Sequence, residues 1–148
     1  MADFDRPLNG RGRLAAPFMG ELIARENIMP DLIVSSPAKR AIETAELVKE
    51  NAGLNAEIRF DERIYEATTE TLRQVISSID DSVETVMLVG HNPGFEGILN
   101  YLIGKAVSMP TAAMAVIELE IDSWSDLNPS TGTLSRIYRP KDEMRHSA

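Results

Sequence analysis

Two short loops carry the side chains best suited to chemistry. The first, Ser35-Ser36-Pro37-Ala38-Lys39-Arg40, follows an apolar run and leads into a helical pattern, with Ser36 suited to the N-cap and Pro37 to the first helical position. The N–H groups and dipole of such a helix start favour an anion, and Arg40, one turn inside, leans back toward that start. A planar, permanently charged guanidinium suits two-pronged capture of a phosphate. It equally suits an ordinary ion pair with Glu43, or with Glu21 or Glu46. The second loop, Gly90-His91-Asn92-Pro93-Gly94, sets an imidazole directly after an apolar strand pattern and before a helical one. There His91 can serve as acid, base, nucleophile or anion donor, or can simply hydrogen-bond a carbonyl and shape the turn. Glu66 follows a weaker strand pattern and is a candidate proton donor, although it is a single carboxylate among 23 acidic residues. A serine hydrolase using Ser35 or Ser36 with His91 is a further reading, disfavoured because no Gly-x-Ser-x-Gly elbow occurs and the serines occupy a cap-like turn.

Composition narrows the chemistry around these loops. The chain has 148 residues, no cysteine and two histidines, with 15 Lys+Arg against 23 Asp+Glu for a net charge of −8. Without cysteine there is no disulfide framework, thiolate nucleophile or Cys-rich zinc site, which fits a reducing compartment. Two histidines exclude a three-histidine metal site, and the carboxylates show no metal-ligand spacing. The acidic balance, with scattered basic residues, argues against nucleic acid as a partner. No run approaches 18 apolar residues, and the Met-Ala-Asp-Phe-Asp-Arg start is acidic where a signal peptide is basic. The expected setting is soluble and cytoplasmic, with no membrane partner.

The elements that must position the two loops alternate between helical and strand periodicity. Turn chemistry at 7–12 precedes a helix to about residue 27, with Leu14, Phe18, Leu22 and Ile23 on its apolar face and Pro17 tolerable only in the first turn or two. Residues 31–34 read as a buried strand, 37–51 as a helix with Ala41, Ile42, Ala45 and Val48 inward and Gly53 as its stop. A half-wet strand at 56–60 and a helix at 69–79 follow, the latter with Leu72, Val75, Ile76 and Ile79 inward. Residues 85–90 are apolar throughout, as in a strand covered on both faces. A helix over 95–103, strands over 112–121 and 133–138, and a polar, disordered tail from about 140 complete the pattern. Neither a linker nor a repeat divides the chain, so the expectation is a single α/β domain over 1–148, with ligands beyond the carboxyl ends of its strands.

Three motifs in this order, Asp5-Arg6-Pro7-Leu8-Asn9 with Gly12, Ser35-Ser36-Pro37-Ala38-Lys39-Arg40-Ala41 with Glu43-Thr44-Ala45, and Val89-Gly90-His91-Asn92-Pro93-Gly94, closely resemble the histidine phosphatase superfamily. Within it the chain is most similar to the short, SixA-type phosphohistidine phosphatases. The resemblance runs from about Asp3 to Arg139. It implies a phosphoglycerate-mutase-like fold: three α/β/α layers around a mostly parallel sheet. It implies that Arg40 binds the phosphoryl group and that His91 is the second active-site histidine, holding the same group in the transition state. It sets Glu66 near the acidic proton donor of many relatives, and gives Asn92 a backbone or amide contact to the phosphate. The reaction implied is phosphoryl transfer to an enzyme histidine and attack of water on the phosphoenzyme, on a phosphorylated protein or small phosphorylated substrate, without metal or organic cofactor.

One departure stands against these matches. Family members open with a β-strand ending in Arg-His-Gly, whose histidine is the nucleophile, and this sequence contains no Arg-His-Gly. His146, beside Arg145 in the polar tail, reads as a solvated residue rather than a replacement. The missing strand belongs in the middle of the family sheet, so the strand before His91 and a neighbour are expected to keep unpaired edges. Three readings follow: a natural start upstream of Met1, remaining strands that close up or an edge supplied by another chain in an oligomer, and a remnant without catalytic activity. The competing class is a non-catalytic phosphate- or phosphoprotein-binding module. The chain as given is expected to hydrolyse phosphate esters poorly.

Overall fold

A computed structural model describes residues 1–146. In chain order it contains a 3-10 turn (Asp3–Asp5), α1 (Gly10–Arg25), β1 (Leu32–Ser35), α2 (Lys39–Ala52), β2 (Glu57–Phe60), a second 3-10 turn (Glu62–Ile64) and α3 (Thr69–Ser77). Then come β3 (Val86–Val89), α4 (Gly94–Ile103), β4 (Met114–Leu119), a third 3-10 turn (Trp124–Asp126), β5 (Gly132–Tyr138) and α5 (Pro140–His146). The mixed α/β class is the expected one. The chain divides into two compact units, Met1–Tyr65 with Val83–Gly90, and Glu66–Ser82 with the residues from His91 on.

The first unit is built on a parallel sheet of order β2-β1-β3, with Leu32 opposite Glu57 and Val86, and Ser35 opposite Phe60 and Val89. β1 is the central strand and its four residues are all buried. Ile33 packs with Ala45 and Ala56, bordered by Leu54, Ile58, Met87 and Val89. β3 corrects an expectation: its apolar run is only half-buried rather than covered. Among the described residues β1 is its sole ladder partner, so β3 is an edge strand.

α1 begins earlier than its periodicity suggests. The Asn9 side chain accepts a hydrogen bond from the Gly12 N–H at 2.9 Å, so the Gly10-Arg11-Gly12 stretch read as a turn is the first helical turn. Pro17 is consequently the eighth residue of the helix, just past its second turn. The inward face also differs: Ala15, Ala16, Met19, Gly20, Leu22 and Ile23 are buried, whereas Leu14 is 70% exposed. Close approach to α2 explains the rotation. A Cβ on Gly20 would lie 2.7 Å from Asn51 Cβ and 2.8 Å from the Val48 carbonyl oxygen. Small residues therefore set the phase of α1, and the larger Leu14 turns outward.

α2 starts two residues later than expected. Its N-cap is Ala38 rather than Ser36, because the Ala38 carbonyl accepts from the N–H groups of Ala41 and Ile42. Its end follows the expectation, with Gly53 in the left-handed conformation at φ 66°.

In the second unit, α3 is capped by Thr68, whose hydroxyl accepts from the Thr71 N–H at 3.1 Å, and buries Leu72, Val75 and Ile76. It packs against α4, which buries Ile98, Leu99 and Leu102. The helix pair is close at its start: a Cβ on Gly94 would stand 2.6 Å from the Ala67 carbonyl oxygen. β4 and β5 form an antiparallel ladder from Met114–Tyr138 to Leu119–Gly132, irregular between Val116 and Ile117, and β4 has no other strand partner among the described residues. The segment from Pro140, expected to be a disordered tail, is the helix α5, with proline in its first turn and Asp142 and Glu143 beside the positive end of its dipole. No helix among the described residues is long and apolar enough to cross a membrane.

Candidate functional site

The loop after β1 is held by hydrogen bonds at every step. The Ser36 N–H donates to the Val89 carbonyl at 2.9 Å and the Asp61 N–H to the Ser35 carbonyl at 3.0 Å, tying the carboxyl end of β1 to both flanking strands. The Ser35 hydroxyl donates to the Ser36 carbonyl at 2.9 Å, and the Ser36 hydroxyl accepts from the Ala38 N–H at 3.2 Å. Both serines are 0% exposed. Hydroxyls buried and engaged in this way cannot meet a substrate, so the serine-hydrolase reading falls.

Arg40 projects from the first turn of α2 at this carboxyl end. None of the three glutamates weighed as partners takes it. Glu43 instead accepts from the Leu8 N–H at 2.7 Å and stands 3.8 Å from Arg13. The guanidinium of Arg40 grips Asp3 twice, through the backbone carbonyl at 2.9 Å and the carboxylate Oδ2 at 3.2 Å. The same carboxylate accepts from the Tyr65 hydroxyl at 2.6 Å and from the guanidinium of Arg6. The ring of Tyr65 meets Phe4 edge to face, with centroids 5.1 Å apart, which fixes the N-terminal turn over the site. Local sequence signals missed Asp3 and Tyr65, because they lie 37 and 62 residues from the groups they meet.

The electrostatics follow from this arrangement. The Tyr65 hydroxyl, then the Arg6 hydrogen bond and the charges of Arg40 and Arg6, lower the Asp3 carboxyl to a pKa of about 2. Its pKa in the folded chain is below the ordinary value of 3.8, so the anchoring is complete above pH 4 and is lost as pH falls through about 2. A carboxyl-carbon NMR titration is expected to show this midpoint, and Tyr65→Phe to move it up toward 3.8; a wild-type midpoint already at 3.8 contradicts the arrangement.

The remaining sequence candidates lie in the second unit. His91 is half-buried, and its carbonyl accepts from the Phe95 N–H at 3.0 Å, so the residue leads directly into α4. Asn92, expected to contact a phosphate through its backbone or amide, has a side chain that donates to the Met109 carbonyl at 2.6 Å and accepts from the Glu96 N–H at 3.2 Å. Glu66 is exposed, sits in the left-handed region at φ 53°, and has no hydrogen-bond or ion-pair partner among the described residues. A glutamate held in that conformation stores backbone strain. His146 ends α5, and its side chain lies outside the described residues.

Comparison with known proteins identifies the family. Residues 2–81 match the family model of the histidine phosphatase superfamily, branch 1. A solved structure described as a phosphohistidine phosphatase SixA from Agrobacterium tumefaciens superimposes with a TM-score of 0.81 at 30% identity, covering 95% of this chain and 87% of that one. The protein histidine phosphatase SixA complexed with tungstate superimposes with a TM-score of 0.82 at 19% identity, covering 96% of this chain and 89% of that one. An uncharacterized protein of Mycobacterium tuberculosis is 28% identical over 152 residues, 95% of this chain and 93% of its own length. Family model, sequence identity and a parallel sheet that carries Arg40 at its carboxyl end converge: the chain belongs to the histidine phosphatase superfamily and has a SixA-like fold.

Proposed function

We propose that the chain is a phosphohistidine phosphatase-like protein, treating residues 1–148 as one family domain in which Arg40 and His91 hold the phosphoryl group of a phosphorylated protein or small phosphorylated substrate. The observation that carries this reading is the grip of Arg40 on an oxyanion. Its guanidinium, at the carboxyl end of a parallel sheet, already binds a carboxylate oxygen at 3.2 Å and a carbonyl oxygen at 2.9 Å. A phosphoryl group offers the same acceptors with more charge.

In the proposed mechanism Arg40 orients the phosphoryl group and neutralises its charge, and His91 stabilises the charge that builds on the transferring oxygens. Glu66 is assigned proton donation to the leaving group, supported by its exposure and strained backbone. Asn92, with its side chain engaged by Met109 and Glu96, is left a main-chain contact to the phosphate. The reading takes no metal or organic cofactor and a cytoplasmic setting. With no Arg-His-Gly in the 148-residue sequence, this chain supplies the phosphate-holding half of the reaction and turns over poorly.

Equilibrium binding of tungstate tests the assignment. Arg40→Ala and His91→Ala are each expected to weaken binding by about tenfold, the usual cost of one charge-assisted hydrogen bond. Unchanged affinity in both variants overturns it. Hydrolysis of phosphohistidine or a phosphomonoester by the purified 148-residue chain at about 1 per second or faster, within the ordinary enzyme range, overturns the predicted low activity.

A further inference from the structure

Three donors from separate parts of the first unit converge on one carboxylate. Arg6 comes from the end of the N-terminal turn, Arg40 from the first turn of α2, and Tyr65 from the end of the second 3-10 turn. Their target, Asp3, belongs to a turn packed against α2. Two guanidinium groups and a phenol are more donor capacity than one surface carboxylate needs. The pairing is also not a buried structural one: the Asp3 side chain is 45% exposed and that of Arg6 59%. A solvent-facing carboxylate between two arginines occupies the position that an incoming oxyanion would take.

We propose that Arg6, Arg40 and Tyr65 form a three-donor oxyanion receptor, and that the Asp3 carboxylate is its built-in occupant, competing with phosphate for Arg40. The inference rests on the reading of Arg40 as a phosphate ligand and adds two further binding residues and a regulatory contact. Charge explains the competition. Asp3 and a phosphate cannot share Arg40 without two anions meeting at hydrogen-bond range, so phosphate enters as the Asp3 carboxylate swings out to solvent, Arg6 staying in place. Once Asp3 has left, the Tyr65 hydroxyl and the Arg6 guanidinium are donors to the phosphate oxygens, and the receptor keeps its three contacts. Displacement requires no opening of the core, because the Asp3–Arg40 pair lies at the surface.

Tungstate titration by calorimetry tests the proposal, with circular dichroism to verify folding. Asp3→Asn and Asp3→Ser, which remove the competing charge, are each expected to tighten tungstate binding by about tenfold. In the Asp3→Asn background, Arg40→Ala is expected to abolish the gain, and Arg6→Ala and Tyr65→Phe each to weaken binding several-fold. If both Asp3 variants stay within twofold of wild type while Arg40→Ala still weakens binding, the competition is refuted and the reading of Arg40 stands. If Arg40→Ala has no effect in either background, that reading fails and takes this inference with it. If Asp3→Asn tightens binding but Arg6→Ala and Tyr65→Phe change nothing there, the three-donor receptor is refuted.

Discussion

Ile33→Ala is expected to lower the unfolding free energy by about 2–5 kcal/mol, at the upper end of that range. Ile33 is 0% exposed on the central strand, in a buried cluster with Ala45 and Ala56 bordered by Leu54, Ile58, Met87 and Val89. The two alanines are too small to fill the space left by a deleted isoleucine, and Ile58 and Met87 are held in register beside it on β2 and β3. Nor can the strand collapse inward. β1 is laddered to β2 on one side and β3 on the other, and the Ser35 and Ser36 main chain is tied to Asp61 and Val89 just beyond. A cavity at a site that cannot relax adds its own penalty to the lost burial. Urea unfolding with the slope held constant measures the change, and Ile33→Val, which removes one methylene, is expected to cost only about 0.5–1.5 kcal/mol. A loss below about 1 kcal/mol for the alanine variant would mean that this part of the core repacks freely.

The parts of this fold that were legible in the sequence are those fixed by strong local patterns. The strand expected over 31–34 lies at Leu32–Ser35, Ala41, Ala45 and Val48 of the expected stripe are buried with Ile42 half-buried beside them, and Gly53 stops α2 where turn chemistry places it. The face of α1 was not legible, because its sequence offers two apolar faces and hydrophobicity ranks Leu14 above Ala15 and Ala16. Packing reverses the ranking, since the distance between two helix backbones, not side-chain apolarity, decides which face can approach. The burial of β3 departs from its apolarity for a related reason: its unpaired edge is the one expected where the family strand is missing, and an edge strand is less covered than the central β1.

The candidate site divides along the same line. The loop from β1 to Arg40 announces itself through strand, turn and helix start within a few residues. The group that Arg40 holds does not, since Asp3 and Tyr65 reach it through the tertiary fold alone. Asn92, which the family resemblance gives a backbone or amide contact to phosphate, uses its side chain to tie the start of α4 to Met109, a contact that no local pattern announces.

Gly20→Leu is expected to cost more than about 3 kcal/mol, beyond the usual range for an overpacked core, and to disturb phosphate binding as well as folding. An ordinary overpacked side chain can push another side chain aside, but here two of the three nearest obstacles are backbone. The Val48 carbonyl oxygen stands 2.8 Å from the position a Cβ would take, and the Ala52 nitrogen 3.2 Å. These atoms belong to the last turns of α2, so relief requires the helices to separate. Separation exposes Ala15, Ala16 and Met19 on one side and loosens the seat of α2 on the other. Arg40 stands in the first turn of that helix, and its guanidinium reaches the oxyanion only while the helix is seated. Gly20→Ala supplies the graded control: its single methyl must meet the same two contacts, so it is expected to destabilise by about 1–3 kcal/mol despite the higher helix propensity of alanine. Urea unfolding of both variants, with tungstate binding measured on whatever fraction stays folded, checks the coupling. A stable Gly20→Leu protein with wild-type tungstate affinity would show that the contact between α1 and α2 does not position Arg40.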